Sequence, residues 1–205
     1  MRARQWPTML VATTNPGKIR EIRAMIAGLP IEWRTLADVA GVPEPEESGA
    51  TFAENAWIKA RAYALATGLP TVAEDSGLAI DALDGRPGVL SARYPGATYA
   101  DKFANLYAEL APHPRPWTAR FVSALAFATP DHPDAPVFTC EGIAPGEIVT
   151  APRGPHGFGY DPIFEYAPTG RTGGELTDAE KRNVSHRGKA FGEYRRWLEA
   201  QGFRL

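Results

Sequence analysis

The chain of 205 residues carries 22 Lys and Arg against 24 Asp and Glu, a formal charge of −2, and is 44% hydrophobic. This is globular composition with chain enough for one substantial domain, and the lack of any block of like charge excludes a general basic face for nucleic acid. One cysteine, Cys140, excludes an internal disulfide and a metal-thiolate site, and fits a reducing compartment.

The apolar run behind the charged start MRARQ is too short for a signal-peptide core, and no segment approaches the roughly 18 apolar residues of a membrane span. The expectation is a cytoplasmic protein with no membrane partner. Thr8 to Thr13 reads as a buried strand that turns at once into a helix, with Asn15 as N-cap and Pro16 at the first helical position. Ile19, Ile22 and Ile26 repeat at helical spacing before Gly28 and Pro30. Ile31 to Leu36 suits a second strand, and an acidic loop with Glu44, Glu46 and Glu47 follows.

Thr51 and Glu54 form a capping box for a second helix that ends at Gly68. Thr71 to Asp81 has strand character, with a turn expected at the sequence EDSG. A third helix is predicted from Tyr99 to Leu110, a strand over Trp117–Thr129, and one or two strands between Val137 and Val149. Thr177 and Glu180 make another capping box, and Ser185 caps a last helix with Ala190, Tyr194, Trp197 and Leu198 on one face. Early alternation of strands and helices, followed by clustered strands, predicts an α/β fold with a mixed sheet and no linker between independent domains.

Five segments carry candidate chemistry. The strand-to-helix turn Thr13, Thr14, Asn15, Pro16, Gly17, Lys18 offers neutral donors, a helix N-terminus and an ammonium, which together suit a phosphate. It lacks the spacing of a P-loop. Glu74 and Asp75 are adjacent carboxylates that repel unless a cation or proton intervenes, and hard oxygen ligands of this kind suit Mg²⁺. The acidic loop is the third segment. In Gly157-Phe158-Gly159-Tyr160-Asp161 the glycines allow close approach of a flat ligand to an aromatic face. Finally Lys181, His186 and Arg187 gather cations where a helix N-terminus disfavours them. No histidine has zinc spacing, and Ser76 is not in a nucleophile elbow.

In order and content the segments ATTNPGKIREI, TFAENAWIKARA, EDSGLAIDALDGRPGVLSARY, GFGYDPIF and EKRNVSHRGKA resemble the Ham1/RdgB family of inosine triphosphate pyrophosphatases along nearly the whole chain. The resemblance implies one domain over residues 1–205, two-lobed, with a long twisted mixed sheet flanked by helices and a cleft between the lobes. It also implies a Mg²⁺-dependent homodimer that hydrolyses dITP, ITP and XTP to the monophosphate and pyrophosphate. By the same resemblance Thr13 to Lys18 bind the triphosphate, Asp75 is the proton acceptor and a metal ligand, and Ser76 touches substrate. Glu46 is taken as the second metal ligand, with Glu44 and Glu47 as alternatives in the same loop. Phe158, Gly159, Tyr160 and Asp161 hold the base, and Lys181, His186 and Arg187 read its 6-keto group. Many relatives have Asp-Asp where this chain has Glu74-Asp75, which leaves a direct metal role for the first position open. The rival readings are a Maf-like nucleotide pyrophosphatase and a nucleotide-binding module without hydrolysis.

Overall fold

A computed structural model describes residues 6–39 and 41–203, so the charged start of the chain lies outside the described residues. The elements run β1 (Thr8–Val11), α1 (Pro16–Ile26), β2 (Glu32–Thr35), α2 (Phe52–Thr67), β3 (Thr71–Ile80), α3 (Tyr99–Leu110), β4 (Trp117–Ala128), β5 (Phe138–Ile148), β6 (Phe164–Tyr166), β7 (Arg171–Thr172), α4 (Asp178–Val184) and α5 (His186–Ala200). They build one seven-stranded sheet in the order β2-β1-β3-β4-β5-β6-β7. β1 pairs in parallel with β2 and β3, whereas β5–β6 and β6–β7 are antiparallel, so the sheet is mixed as expected. Among the described residues no helix is long and apolar enough to cross a membrane.

The chain forms two compact units, through which β3, β4, β5 and α5 run. The first comprises residues 1–75, 124–141 and 190–205. Its inner strands β1, β3 and the end of β4 are buried on both faces, and their side chains sort by strict alternation. Met9, Val11, Val72, Leu125 and Phe127 pack with Ile22, Met25 and Ile26 of α1 and with Phe191, Tyr194 and Leu198 of α5. Leu10, Ala12, Ala73, Ala124, Ala126 and Ala128 pack instead with Ala56, Ala60, Tyr63 and Ala64 of α2. One face is therefore aromatic and thick, and the other is a thin seam of alanines.

The second unit, residues 76–123 and 142–189, closes around Leu78, Ile80, Phe103, Leu106, Phe121, Phe164 and Tyr166. It carries α3 and α4 and the loops that bear the aromatic and basic candidates.

Local signals set most helix starts. Asn15 Oδ1 accepts from the amides of Gly17 (2.9 Å) and Lys18 (3.2 Å), with Pro16 at the first position of α1. Thr51 and Glu54 exchange hydrogen bonds across the start of α2, as do Thr177 and Glu180 at α4, and Ser185 Oγ accepts from the Gly188 amide at α5. A third capping box, Thr98 with Asp101 at α3, was not read from the sequence. The turn expected at EDSG is absent, because β3 runs unbroken through it. The strand lies between β1, which pairs with its first residues Thr71 and Val72, and β4, and this place in the sheet outweighs the turn preference of Asp-Ser-Gly. Where one or two strands were expected after Val137, β5 is a single strand that accommodates Pro145 and Gly146.

The alanine seam has no room for larger side chains. Ala60→Leu will lower stability by about 1–3 kcal/mol, whereas Leu65→Ala on the exposed side of the same helix will change it by less than about 0.5 kcal/mol. Urea unfolding of both variants checks the contrast.

Candidate active site

Consecutive residues in a strand point to opposite faces, and β3 places its acidic pair accordingly. Glu74 follows Val72 onto the α1 face, where its carboxylate meets Lys18 Nζ at 3.1 Å. Asp75 follows Ala73 onto the α2 face, where Oδ1 meets Lys59 Nζ at 3.0 Å and Oδ2 accepts from Asn55 Nδ2 at 3.4 Å. The two carboxylates do not share a site, so the repulsion expected between neighbours is removed by geometry, and each has its own lysine.

Asn55 and Lys59 lie four residues apart on one face of α2, with Tyr63 one turn further. Lys59 Nζ also contacts Glu47 at 2.6 Å, and Asn55 Oδ1 accepts from the Gly49 amide at 2.8 Å. The acidic loop is thus pinned beside Asp75. Burial on its own lowers the affinity of Lys59 for its proton, but the charges of Asp75 and Glu47 outweigh it and hold the ammonium above its usual range. Burial raises the Tyr63 hydroxyl, and the Glu44 and Glu47 carboxylates push it further in the same direction. Glu47 and Glu44 are therefore the acidic-loop residues whose charge reaches this stripe of α2. Glu46, the ligand chosen from the sequence, is exposed, and it contributes to neither Lys59 nor Tyr63. Sequence reading missed Lys59 and Asn55. The signal was available as a lysine and an asparagine at helical spacing inside the TFAENAWIKARA segment, beside the buried alanines Ala56 and Ala60.

In the turn after β1, the Asn15 cap uses the amides of Gly17 and Lys18, the Asn15 amide donates to Thr13 Oγ1 at 3.2 Å, and Thr14 is exposed. Lys18 is aimed at Glu74.

The second group of candidates lies in the other unit. Arg187, 2% exposed, donates from Nη2 to Ser76 Oγ at 3.0 Å. Lys181 Nζ lies 4.8 Å from the centre of the Phe158 ring and Arg187 Cζ 5.7 Å from it, so both cations stand over one aromatic ring. His186 stacks on Phe121 with ring centres 4.7 Å apart. Lys181 belongs to α4, whereas His186 and Arg187 open α5; the three do not form a single helix entrance. Within α4 the Glu180 carboxyl is pulled down to about 2 by the Arg171 guanidinium and by the Thr177 amide and hydroxyl. Its hold on the helix that carries Lys181 is complete above about pH 4.5 and fades as pH falls toward 2.

Asp161 and Tyr160, expected to hold the base, have partners inside the fold. The Asp161 carboxylate is buried; it contacts Lys181 Nζ at 2.5 Å and accepts from the Phe158 amide at 2.7 Å. A side chain at Gly157 or Gly173 would collide with it, the added carbon falling 2.3 and 2.5 Å from its oxygens. These glycines make room for an internal carboxylate. Asp161 fixes the turn that presents Phe158 and aims Lys181. Tyr160 is buried too, with its hydroxyl donating to the Ser91 carbonyl at 2.8 Å and its ring set edge-on to Tyr99. Gly159 lies beside Tyr99, whose hydroxyl would come within 3.4 Å of a side chain there. Tyr99 was not singled out from the sequence.

Among the described residues no group of three or more His, Cys, Asp or Glu is arranged to hold a metal by itself. The oxygen donors near one another are Asp75 and the acidic-loop glutamates. That set suits an ion which takes one or two carboxylates from protein and the rest of its shell from phosphate and water.

Asp161→Asn will leave buried Lys181 without its carboxylate and cost about 3–5 kcal/mol. Asp161→Asn combined with Lys181→Met will recover a large part of that loss, as chemical denaturation of the three variants will show.

A sequence model of the Ham1 family matches residues 9–197. A dITP/XTP pyrophosphatase of Syntrophobacter fumaroxidans is 45% identical over 202 residues, covering 94% of this chain and 85% of that one. Another from Thermus thermophilus is 48% identical over 186 residues, covering 89% and 87%. The structure of a HAM1 protein from Coxiella burnetii superposes with a TM-score of 0.86 at 40% identity, covering 94% of this chain and 98% of that one. On these matches and on the residues above, the chain belongs to the Ham1 family.

Proposed function

We propose that the protein is a nucleoside triphosphate pyrophosphatase, hydrolysing dITP, ITP and XTP to the monophosphate and pyrophosphate. The observation that carries this reading is the run Glu74-Asp75-Ser76 on β3. Its three consecutive side chains contact cations from three separate elements: Lys18, Lys59 and Arg187. A strand that only supports a fold has no use for such a run.

In this reading the turn Thr13–Lys18 and Lys59 bind phosphate oxygens, and the Asp75 carboxylate takes the proton of the attacking water. Mg²⁺ is the proposed cofactor, held by Asp75 with Glu46 of the acidic loop, or with its neighbours Glu47 or Glu44. When bound it neutralises charge on the phosphates and on the leaving pyrophosphate. Lys59 and Asn55 orient Asp75 before substrate arrives, so little reorganisation is needed during the reaction.

The base is read by Phe158, which offers a ring face, and by Lys181 and Arg187, which donate to a 6-keto oxygen. Adenine places an amino group at that position, and each donor left unpaired costs about 1–3 kcal/mol. Asp161 and Tyr160 act by fixing the turn, and His186 by packing beside Arg187. The family match over residues 9–197 supports treating the chain as one functional domain. Homodimer formation and a cytoplasmic setting belong to the same proposal; the single half-buried Cys140 fits a reducing compartment.

The deciding measurement is pyrophosphate release from dITP, ITP, XTP, ATP and GTP with and without Mg²⁺. Metal-dependent release from the first three, with ATP far behind, is expected. Asp75→Asn will lower kcat by about 100-fold or more while circular dichroism stays unchanged. Release from none by the folded protein would favour the binding-module reading. ATP turned over as well as ITP would sink the keto argument.

A further inference from the structure

Glu74 is left over once Asp75 is assigned. Its side chain is 1% exposed, on the α1 face of β3, and a carboxylate buried that deeply is costly unless something in the fold uses it. It is turned away from Asn55, Lys59 and Glu47, which gather on the α2 face around Asp75. A direct ligand role beside Asp75 is therefore excluded by the period of the strand. What Glu74 does touch is Lys18 Nζ, at 3.1 Å, on a side chain that remains 17% exposed. Lys18 is the last residue of a turn whose Asn15 side chain already satisfies two of its amides, so the ammonium is the strongest donor the turn still offers to an anion.

We propose that Glu74 is a positioning residue for phosphate binding: its buried carboxylate holds the flexible Lys18 side chain extended along the start of α1, with the ammonium ready for the triphosphate. A free lysine loses rotamer freedom when it binds an anion, and a lysine held in advance has already lost it. The carboxylate acts through Lys18 and touches neither metal nor nucleotide. This inference rests on the proposed pyrophosphatase reading and deepens it.

The test uses the full chain with Mg²⁺ held constant and inorganic tripolyphosphate as a probe that has no base. Calorimetry with wild type, Glu74→Gln, Glu74→Asp and Lys18→Met gives binding, and dITP hydrolysis gives kcat and KM. Glu74→Gln should weaken tripolyphosphate binding by about tenfold or more and raise KM by a similar factor. It should lower kcat less than it raises KM, and leave the Mg²⁺ concentration for half-maximal rate unchanged. Glu74→Asp should restore part of the binding. Combining Glu74→Gln with Lys18→Met should bind no more weakly than Lys18→Met alone, because the two act as one unit. The double variant also carries the test if Glu74→Gln alone does not fold, since it removes both charges together.

Unchanged tripolyphosphate binding in Glu74→Gln overturns the proposal, as does a shifted Mg²⁺ dependence or an additive double variant. Wild-type protein that neither binds tripolyphosphate nor hydrolyses dITP would overturn the pyrophosphatase reading itself. Normal wild-type behaviour with an inert Glu74→Gln would remove only the role of Glu74.

Discussion

The arrangement depends on the period-two alternation of a strand buried on both faces. β3 carries Glu74 and Asp75 through the interior of the sheet, and the pleat sends them in opposite directions. A buried carboxylate is tolerable only beside a positive partner, so each face must supply a cation. α1 supplies Lys18 and α2 supplies Lys59. The positions of both helices, the caps that start them and the loop pinned to α2 all serve that requirement. Thr51 and Glu54 fix where α2 begins, which in turn sets the height at which Asn55 and Lys59 meet Asp75.

The second unit answers the same problem with one internal ion pair. Asp161 and Lys181 neutralise each other, and their joint position fixes the turn at Phe158 through its amide. Arg187 stands beside them over the same ring and reaches Ser76. Groups which look like ligand contacts in a motif divide here into those that face a partner and those that hold them in place.

Much of this was legible in the chain. The Asn15 cap, the Thr51 and Thr177 capping boxes and the Ser185 cap are local hydrogen-bonding patterns, complete within four residues, and they needed no tertiary information. The mixed α/β sheet followed from the order of apolar runs. What was not legible depended on neighbours distant in sequence. Asp-Ser-Gly reads as a turn until the strand that carries it is placed in the middle of the sheet. Gly157 reads as room for a flat ligand until the Asp161 carboxylate is seen beside it. Among the three loop glutamates, spacing could not show that Glu47 pairs with Lys59, because the partner comes from another element.

The two faces of the first unit differ in a way that bears on how such a chain can change. On the α2 side the contact is made mainly by alanines, which have no rotamers to readjust when a neighbour grows. On the other side Trp6, Phe127, Tyr194 and Trp197 meet at varied angles, and large rings can tilt or shift to absorb a substitution. Sequence drift should therefore collect behind α1 and α5, while the wall that carries Asn55 and Lys59 stays rigid. An engineer wishing to raise the melting temperature has latitude on the aromatic side and almost none on the alanine side.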